Sequence, residues 1–290
     1  MIFRSIGYAA TALALTVAAG AVRSVPSSSS QAGPAPRDDA APLVIGETFT
    51  IDSKRLGERR RINVTMPAGY ANAKDARFPV ITMPDGGMAE DFLHVAGLVQ
   101  VSAGNGTMRP SLLVGIENTQ RRRDMTGPTR SEADRKIAPA VGGSAAFRAF
   151  IREELMPEVR RRYRTTGESA IVGESLAGLF VVETFLLEPE LFDTYIAIDP
   201  SLWWDNRALV EGASARLRGR PMLAKTLYLA SSDESKIAAD TRRLSEVLRM
   251  DAPAGLRWHH EPMPQETHST IYHPAALKAF RWAFKPPGSH

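Results

Sequence analysis

The serine at position 175 lies in a setting that suits a nucleophile. Gly173 precedes it by two positions, and Ala177 and Gly178 follow it closely. A β-branched run before this stretch and a helical pattern after it predict a strand, a sharp turn and a helix. A serine on such a turn points its hydroxyl out at the carboxyl end of a sheet, where the next N–H, that of Leu176, can bind an oxyanion. We interpret Ser175 as a nucleophile; the alternative is an ordinary helix N-cap.

A serine hydroxyl needs a neighbouring imidazole to accept its proton. Of the six histidines, His268 follows the last predicted strand and precedes the last predicted helix, which places it at the same edge of the sheet as Ser175. The chain order serine, acid, histidine therefore favours His268 as the base. His273 is the second choice, since capping of the last helix explains it equally well.

The acid that orients the imidazole is expected at a strand end between Ser175 and His268. Asp233 and Glu234 end one predicted strand, and Asp199 ends the strand before it. Adjacent residues cannot both point at one histidine. The pattern leaves Glu234, Asp233 and Asp199 open, in that order.

A second oxyanion donor is expected from the loop after the predicted strand Phe78–Met83. Gly86 and Gly87 in this loop allow the backbone to turn inward. The alternative is an ordinary Asp-Gly-Gly turn. The first donor would be the N–H of Leu176.

Short apolar strands alternate with amphipathic helices along the chain, which predicts an α/β fold with a mostly parallel sheet and helices on both faces. In such sheets the ligand site lies at the carboxyl ends of the strands. The predicted strands are 47–51, 61–66, 78–83, 110–116, 169–172, 194–198, 226–230 and 256–261, and the predicted helices are 92–101, 147–164, 179–186, 237–250 and 273–284. A polar loop is predicted at 117–141.

Composition excludes several classes of protein. The chain has 290 residues, a formal net charge of +4 and no cysteine, so disulfides and thiolate metal sites are ruled out. Three arginine clusters, 59–61, 121–123 and 160–162, fit solvated faces better than a nucleic-acid surface, because no nucleic-acid-binding motif accompanies them. No metal cluster or nucleotide loop is visible, and no cofactor is expected.

The amino terminus has the pattern of a secretory signal. Residues 1–21 carry the positive residue Arg4 near their start, continue through an apolar run rich in Ala, Leu and Thr, and end in small residues. A membrane anchor is the alternative. Residues 22–41 are rich in Ser, Pro, Ala and Gly and predict a disordered linker, followed by one domain over 42–287. These patterns predict a periplasmic or secreted protein with no stable membrane insertion after signal removal, and they leave the oligomeric state open.

From about residue 42 to residue 284 the chain resembles the putative-esterase branch of the α/β-hydrolases, the branch of siderophore esterases, esterase D and the mycolyltransferases. The segments that carry the resemblance are Val64–Tyr70, Phe78–Ile81 with Asp85-Gly86, Val114–Thr119 with Arg123-Asp124, Gly173–Phe180, Ile198–Asp205, and His268-Ser269 with His273-Pro274. The sequence departs from the family pattern at Ala177, where Gly is usual, and at Met83-Pro84.

This resemblance implies an α/β-hydrolase fold and a serine esterase acting through an acyl-enzyme on a small-molecule ester, with siderophore trilactones as one substrate class. It implies Ser175 and His268 as nucleophile and base and Gly87 and Leu176 as oxyanion donors. Glu234 falls where related enzymes place a carboxylate, and a serine–histidine dyad without an acid, as in some siderophore esterases, is the alternative. Five residues are expected to contact the substrate: Asp85, Gly86, Arg123, Trp203 and Trp204. The two tryptophans would wall the site and stack on an aromatic acyl group; the alternative is a core or surface-covering aromatic pair.

Two other functions remain open from the sequence. The same triad would serve a feruloyl or acetyl carbohydrate esterase or an acyltransferase. A non-catalytic binding protein on a hydrolase scaffold is the third possibility.

Overall fold

One eight-stranded sheet organises the computed structural model, which describes residues 41–288. The strands are β1 (Glu47–Ser53), β2 (Glu58–Thr65), β3 (Phe78–Met83), β4 (Leu112–Ile116), β5 (Thr165–Glu174), β6 (Thr194–Ile198), β7 (Thr226–Ser231) and β8 (Arg257–Pro262). Their order in the sheet is β1-β2-β4-β3-β5-β6-β7-β8. β2 pairs antiparallel with β1 and β4, and the pairings from β4 to β8 are all parallel. The predicted mostly parallel sheet is therefore confirmed.

Helices cover both faces of this sheet. They are α1 (Phe92–Gly104), α2 (Arg121–Asp124), α3 (Glu132–Arg135), α4 (Ser144–Phe150), α5 (Met156–Arg162), α6 (Leu176–Leu187), α7 (Trp204–Glu211), α8 (Ala213–Arg218), α9 (Ser235–Asp251) and α10 (Tyr272–Ala283). Every residue of β4 and β6 is buried, as expected for central parallel strands with helices on each side.

The core is divided into two apolar clusters by the sheet. One joins β3 to α1 and α10, with Phe92 and Phe280 fully or almost fully buried. The other joins the opposite face to α4, α6, α8 and α9, with Phe147, Phe180 and Phe185 at its centre. Because successive strand residues face opposite sides, Leu113 belongs to the first cluster and its neighbours in β4 to the second.

The single helix predicted over 147–164 is interrupted. A π-helical segment, Ile151–Leu155, separates α4 from α5. Pro157 lies at the start of α5 and has no N–H to donate to the preceding turn, which gives a physical reason for the wider turn before it. The predicted loop at 117–141 holds two single-turn helices, α2 and α3.

The unit that contains all of these elements begins at Val44. The predicted signal segment, and the predicted linker apart from Ala41, lie outside the described residues. Within 41–288, no helix combines the length and the apolar character needed to cross a membrane.

Candidate active site

Ser175 occupies the turn between β5 and α6, in a backbone conformation that is rare for a side-chain-bearing residue. Its φ is +61° and its ψ is −118°, and its N–H donates to Ile198 O at 3.1 Å. A Cβ on Gly173 would lie 2.7 Å from Ala177, and one on Gly178 would lie 2.9 Å from Ile198 O. The predicted strand–turn–helix is present, and alanine is accommodated at 177 because Gly173 has no side chain.

The hydroxyl of Ser175 and the ring of His268 are within hydrogen-bond distance. Ser175 Oγ lies 3.1 Å from His268 Nε2. His268 Nδ1 lies 2.5 Å from Asp199 Oδ2. These three side chains form the Ser–His–Asp chain of contacts that allows proton transfer from a hydroxyl to an imidazole.

The partner of His268 Nδ1 is Asp199 and not Glu234, the first choice from sequence. Glu234 is exposed and precedes α9, and within 41–288 its side chain makes no hydrogen bond to His268. Asp233 is also exposed, and its N–H donates to Glu266 O. The reason is the order of the strands: Asp199 ends β6, which lies directly beside the strand that carries Ser175.

Asp199 is held rigidly. It is fully buried, its φ is +46°, and it accepts hydrogen bonds from the N–H of Ser232 at 2.7 Å and from the hydroxyl of Ser232 at 2.8 Å. The hydrogen bond to Asp199 is the main cause that raises the pKa of His268 above its ordinary value. Asp199 therefore fixes the orientation of the ring and favours its protonated form.

Leu176 is the first residue of α6, so its N–H has no partner within the helix. Nor does any other group in the part of the chain that the structure describes accept a hydrogen bond from it. This N–H lies next to Ser175 at the positive end of the helix dipole, where negative charge is stabilised. The predicted position of the donor is thus compatible with an oxyanion.

Gly87, the second predicted donor, has its N–H bound by another residue. The N–H donates to Glu90 Oε2 at 2.7 Å, and the same carboxylate accepts from the N–H of Asn118 at 3.3 Å. An oxyanion would have to displace Glu90 to reach Gly87. The sequence pattern did not single out Glu90.

Asp85 and Gly86 shape the loop and have little capacity left to bind a substrate. Asp85 is buried with a φ of +56°, and both of its carboxylate oxygens accept from Arg121, at 2.7 and 2.8 Å. Gly86 N–H donates to Ile116 O at 2.9 Å, and Gly86 O accepts from Asn63 Nδ2 at 2.8 Å. These internal hydrogen bonds are what the structure shows for Asp85 and Gly86, and their contacts with a substrate stay predictions.

Gly86→Ala is expected to lower the free energy of unfolding by about 3 kcal/mol, because the new methyl group overpacks a rigid site. Its Cβ would lie 2.2 Å from the Gly115 backbone. The measurement is urea unfolding. Gly97→Ala is the matched control: Gly97 lies within α1 with nothing within 4 Å of the added carbon, so a gain of about 0.5 to 1 kcal/mol is expected there. Equal effects at the two positions would contradict the close approach.

Arg123 is engaged away from the catalytic contacts. Its guanidinium donates to Glu58 Oε1 and to Asp124 Oδ1, both at 2.7 Å, and the hydrogen bond to Glu58 is the main cause that raises its pKa. Asp124 in turn pairs at 2.6 Å with Arg60, and both of these side chains are fully buried. Arg123 thus belongs to an ion-pair network beside β2, and its role in substrate binding stays a prediction.

Arg121, two positions before Arg123, contacts both the Gly86-Gly87 loop and the serine turn. Besides pairing with Asp85, its guanidinium lies 3.5 Å from the carbonyl oxygen of Glu174, the residue before Ser175. It thus joins the Gly86-Gly87 loop to the serine turn.

The two tryptophans differ in exposure. Trp204 is buried, and its indole N–H donates to Gly127 O at 2.9 Å, so most of this side chain packs in the core. Trp203 is partly exposed at the end of the loop after β6. Stacking of Trp203 on an acyl group stays a prediction.

Glu174, directly before Ser175, is not among the candidate site residues that the sequence indicated. Its Oε1 lies 3.4 Å from His268 Nε2, and burial raises its pKa to about 7. The available signal was a charged residue at the end of a buried strand, directly before the predicted nucleophile.

Glu174, Asp199 and His268 have potential metal-ligand atoms within 4.8 Å of one another. We assign them no metal, because the two ring nitrogens already face Ser175 and Asp199.

Comparisons with known proteins agree with this geometry. Residues 53–269 match the model of the family described as "Putative esterase", a span that includes Ser175, Asp199 and His268. The ferri-bacillibactin esterase BesA of Bacillus subtilis is 29% identical over 245 residues, which cover 77% of this chain and 82% of that protein. A siderophore triacetylfusarinine C esterase of Aspergillus fumigatus is 29% identical over 192 residues, covering 62% of this chain and 63% of that protein.

Solved structures show the same architecture. An IroE-like serine hydrolase from Shewanella oneidensis superposes with a TM-score of 0.75 and 28% identity, covering 82% of this chain and 80% of that one. The BES protein from Bacillus cereus also has a TM-score of 0.75, with 22% identity over 87% of this chain and all of that one, and supports the fold. The fold is that of the α/β-hydrolases, and the chain belongs to the putative esterase family of carboxylic ester hydrolases.

Proposed function

We propose that this protein is a serine esterase that works through an acyl-enzyme intermediate. The observation that carries the proposal is the continuous contact from Ser175 Oγ to His268 Nε2 at 3.1 Å and from His268 Nδ1 to Asp199 at 2.5 Å. Contacts of this kind convert a weakly nucleophilic hydroxyl into one that attacks a carbonyl carbon.

In the proposed reaction His268 Nε2 accepts the Ser175 proton while Ser175 Oγ attacks the ester carbonyl. The Leu176 N–H binds the oxyanion, and Asp199 stabilises the imidazolium that forms. His268 then protonates the leaving alkoxide, which departs as the ester carbon–oxygen bond breaks. A water activated by the same nitrogen hydrolyses the acyl-enzyme.

In this scheme the N–H of Gly87 becomes the second oxyanion donor once it no longer donates to the Glu90 carboxylate. Removal of one oxyanion donor typically costs about 3 kcal/mol in the transition state, so substrate entry that displaces Glu90 would have a large effect on rate.

We infer a siderophore ester as the substrate class, because two relatives, each 29% identical to this chain over the aligned residues, are named as a ferri-bacillibactin esterase and a siderophore esterase. The test compares kcat/KM for a catechol trilactone with kcat/KM for a feruloyl sugar ester. We expect the trilactone to be preferred by about tenfold or more, a ratio within reach of pocket contacts. Preference for the sugar ester would reassign the substrate to carbohydrate, and transfer of the acyl group to an alcohol in place of water would indicate an acyltransferase.

Covalent labelling separates catalysis from binding. A fluorophosphonate probe is expected to label the protein covalently at Ser175. Binding of the trilactone with neither labelling nor turnover would indicate a non-catalytic protein on a hydrolase scaffold.

A further inference from the structure

His268 Nε2 faces two side chains, not one. Ser175 Oγ lies at 3.1 Å and Glu174 Oε1 at 3.4 Å. Glu174 is the last residue of β5, and its side chain is only 15% exposed. A largely buried carboxylate thus lies beside the nitrogen that must take the serine proton.

The two carboxylates at His268 are held differently. Asp199 accepts two hydrogen bonds from Ser232 in addition to its contact with Nδ1. The Glu174 carboxylate accepts no hydrogen bond from any residue that the structure describes, and its contact with Nε2 is an ion-pair distance. Glu174 therefore interacts with His268 mainly through charge, and loss of that charge would leave the Asp199 contact intact.

The groups around Glu174 belong to several elements. Burial raises the pKa of Glu174 to about 7; His268 and Arg121 oppose that rise, and the carboxylates of Asp199 and Asp91 add to it. The buried hydroxyl of Tyr272 faces the same charges. On His268, the charges of Glu174, Asp199 and, least of all, Glu234 raise the pKa. Glu174 and His268 consequently change protonation in overlapping ranges of pH.

We propose that Glu174 is a positioning residue that holds His268 in its protonated form and so sets the lower pH limit of turnover. The proposal rests on the proposed function of Ser175 and His268. Only the neutral imidazole can accept the serine proton, and an ionised Glu174 at 3.4 Å favours the imidazolium of the resting enzyme. Once Ser175 has attacked, the same charge stabilises the imidazolium that forms, so the penalty is confined to the pH range near 7 in which Glu174 is still partly ionised while His268 takes up its proton.

Glu174→Gln tests this, because it removes the charge and keeps the size of the side chain. The sign follows from the interaction: without the negative charge the pKa of His268 falls, and the neutral ring persists to lower pH. We expect the acid limb of kcat/KM for p-nitrophenyl acetate to move down by about 0.5 to 1 pH unit. One pH unit below the wild-type midpoint, this is a gain of about 2.5- to 5.5-fold.

Glu234→Gln is the matched control, since it removes the same charge from an exposed residue without contact to the ring. Its midpoint is expected to move by less than about 0.2 unit, because solvent screens exposed charges. Glu174→Asp, which retains the charge, is expected to stay nearer the wild-type midpoint than Glu174→Gln. An unchanged midpoint in Glu174→Gln, or an equal shift in Glu234→Gln, would overturn the proposal.

Titration of the His268 ring by NMR in wild type and Glu174→Gln gives a readout that needs no turnover. A downward shift of the His268 midpoint supports the role of Glu174 even if the wild-type protein proves inactive, an outcome that would reject the proposed function alone. Thermal unfolding of each variant establishes that it is folded, and an unshifted ring titration in folded Glu174→Gln contradicts the proposal.

Discussion

Ser175→Ala is expected to lower kcat for a p-nitrophenyl ester by about 10⁴-fold or more, because in the proposed mechanism the hydroxyl forms the covalent intermediate. The substitution removes one oxygen from a turn whose shape is set by Gly173, Gly178 and the hydrogen bond from Ser175 N–H to Ile198 O, all of which remain. The fold is therefore expected to persist, and circular dichroism with a thermal melt checks this. Initial rates with enzyme in excess measure the residual activity.

A second serine provides the discriminating control. Ser201 Oγ lies 3.4 Å from Ser175 Oγ and is buried. Peptide mass mapping of the fluorophosphonate adduct should place it on Ser175 in wild type and find none in Ser175→Ala. Undiminished turnover in Ser175→Ala, or an adduct on Ser201, would contradict the assignment of the nucleophile.

The contact between Ser175, the proposed nucleophile, and His268 could be predicted from sequence because the signals for both residues are local. The small residues around Ser175 reflect close backbone contacts within a few positions, such as that between Gly173 and Ala177. His268 was selected by its place between the last strand and the last helix, a position the structure retains between β8 and α10. Their 3.1 Å contact follows once the sheet is formed.

The carboxylate that contacts His268 could not be chosen this way, because the contact depends on which strand lies beside which. Asp199 and Glu234 both follow strands of a parallel sheet, and nothing in the residue types separates them. Asp199 contacts His268 because β6 pairs with β5 and because the buried Asp199 carboxylate is held by Ser232. Glu174 was not singled out because residue type alone does not show that its carboxylate is largely buried and 3.4 Å from His268 Nε2.

Secondary structure shows the same division between local and tertiary causes. The apolar runs Phe78–Met83 and Thr194–Ile198 were predicted with the bounds that the structure has. The helix over 147–164 was predicted as continuous, since its apolar spacing persists across Pro157 and hides the π-helical segment Ile151–Leu155. α2 and α3 are four residues each, too short for a period to be recognised.

Asp199→Asn is expected to lower kcat by about 10⁴-fold, the loss found when a triad aspartate becomes an amide. The reason is the tautomer of His268. The carboxylate accepts a hydrogen bond from Nδ1–H, so Nε2 carries no proton and can receive that of the serine. An asparagine NH₂ would instead donate to Nδ1, and the ring proton would then lie on Nε2. The amide can still accept the N–H of Ser232, which lies at 2.7 Å from Asp199, so the fold is expected to remain.

Glu234→Gln is the decisive companion to Asp199→Asn, since each converts one candidate carboxylate to its amide. Glu234 is exposed and acts on His268 only through a weak, solvent-screened charge, so kcat is expected to stay within about twofold of wild type. A loss in Glu234→Gln as large as that in Asp199→Asn would restore Glu234 as the acid and require the loop before α9 to close over His268 during turnover. Near-wild-type activity in both variants would instead mean that Ser175 and His268 work as a dyad, with Asp199 serving the fold alone.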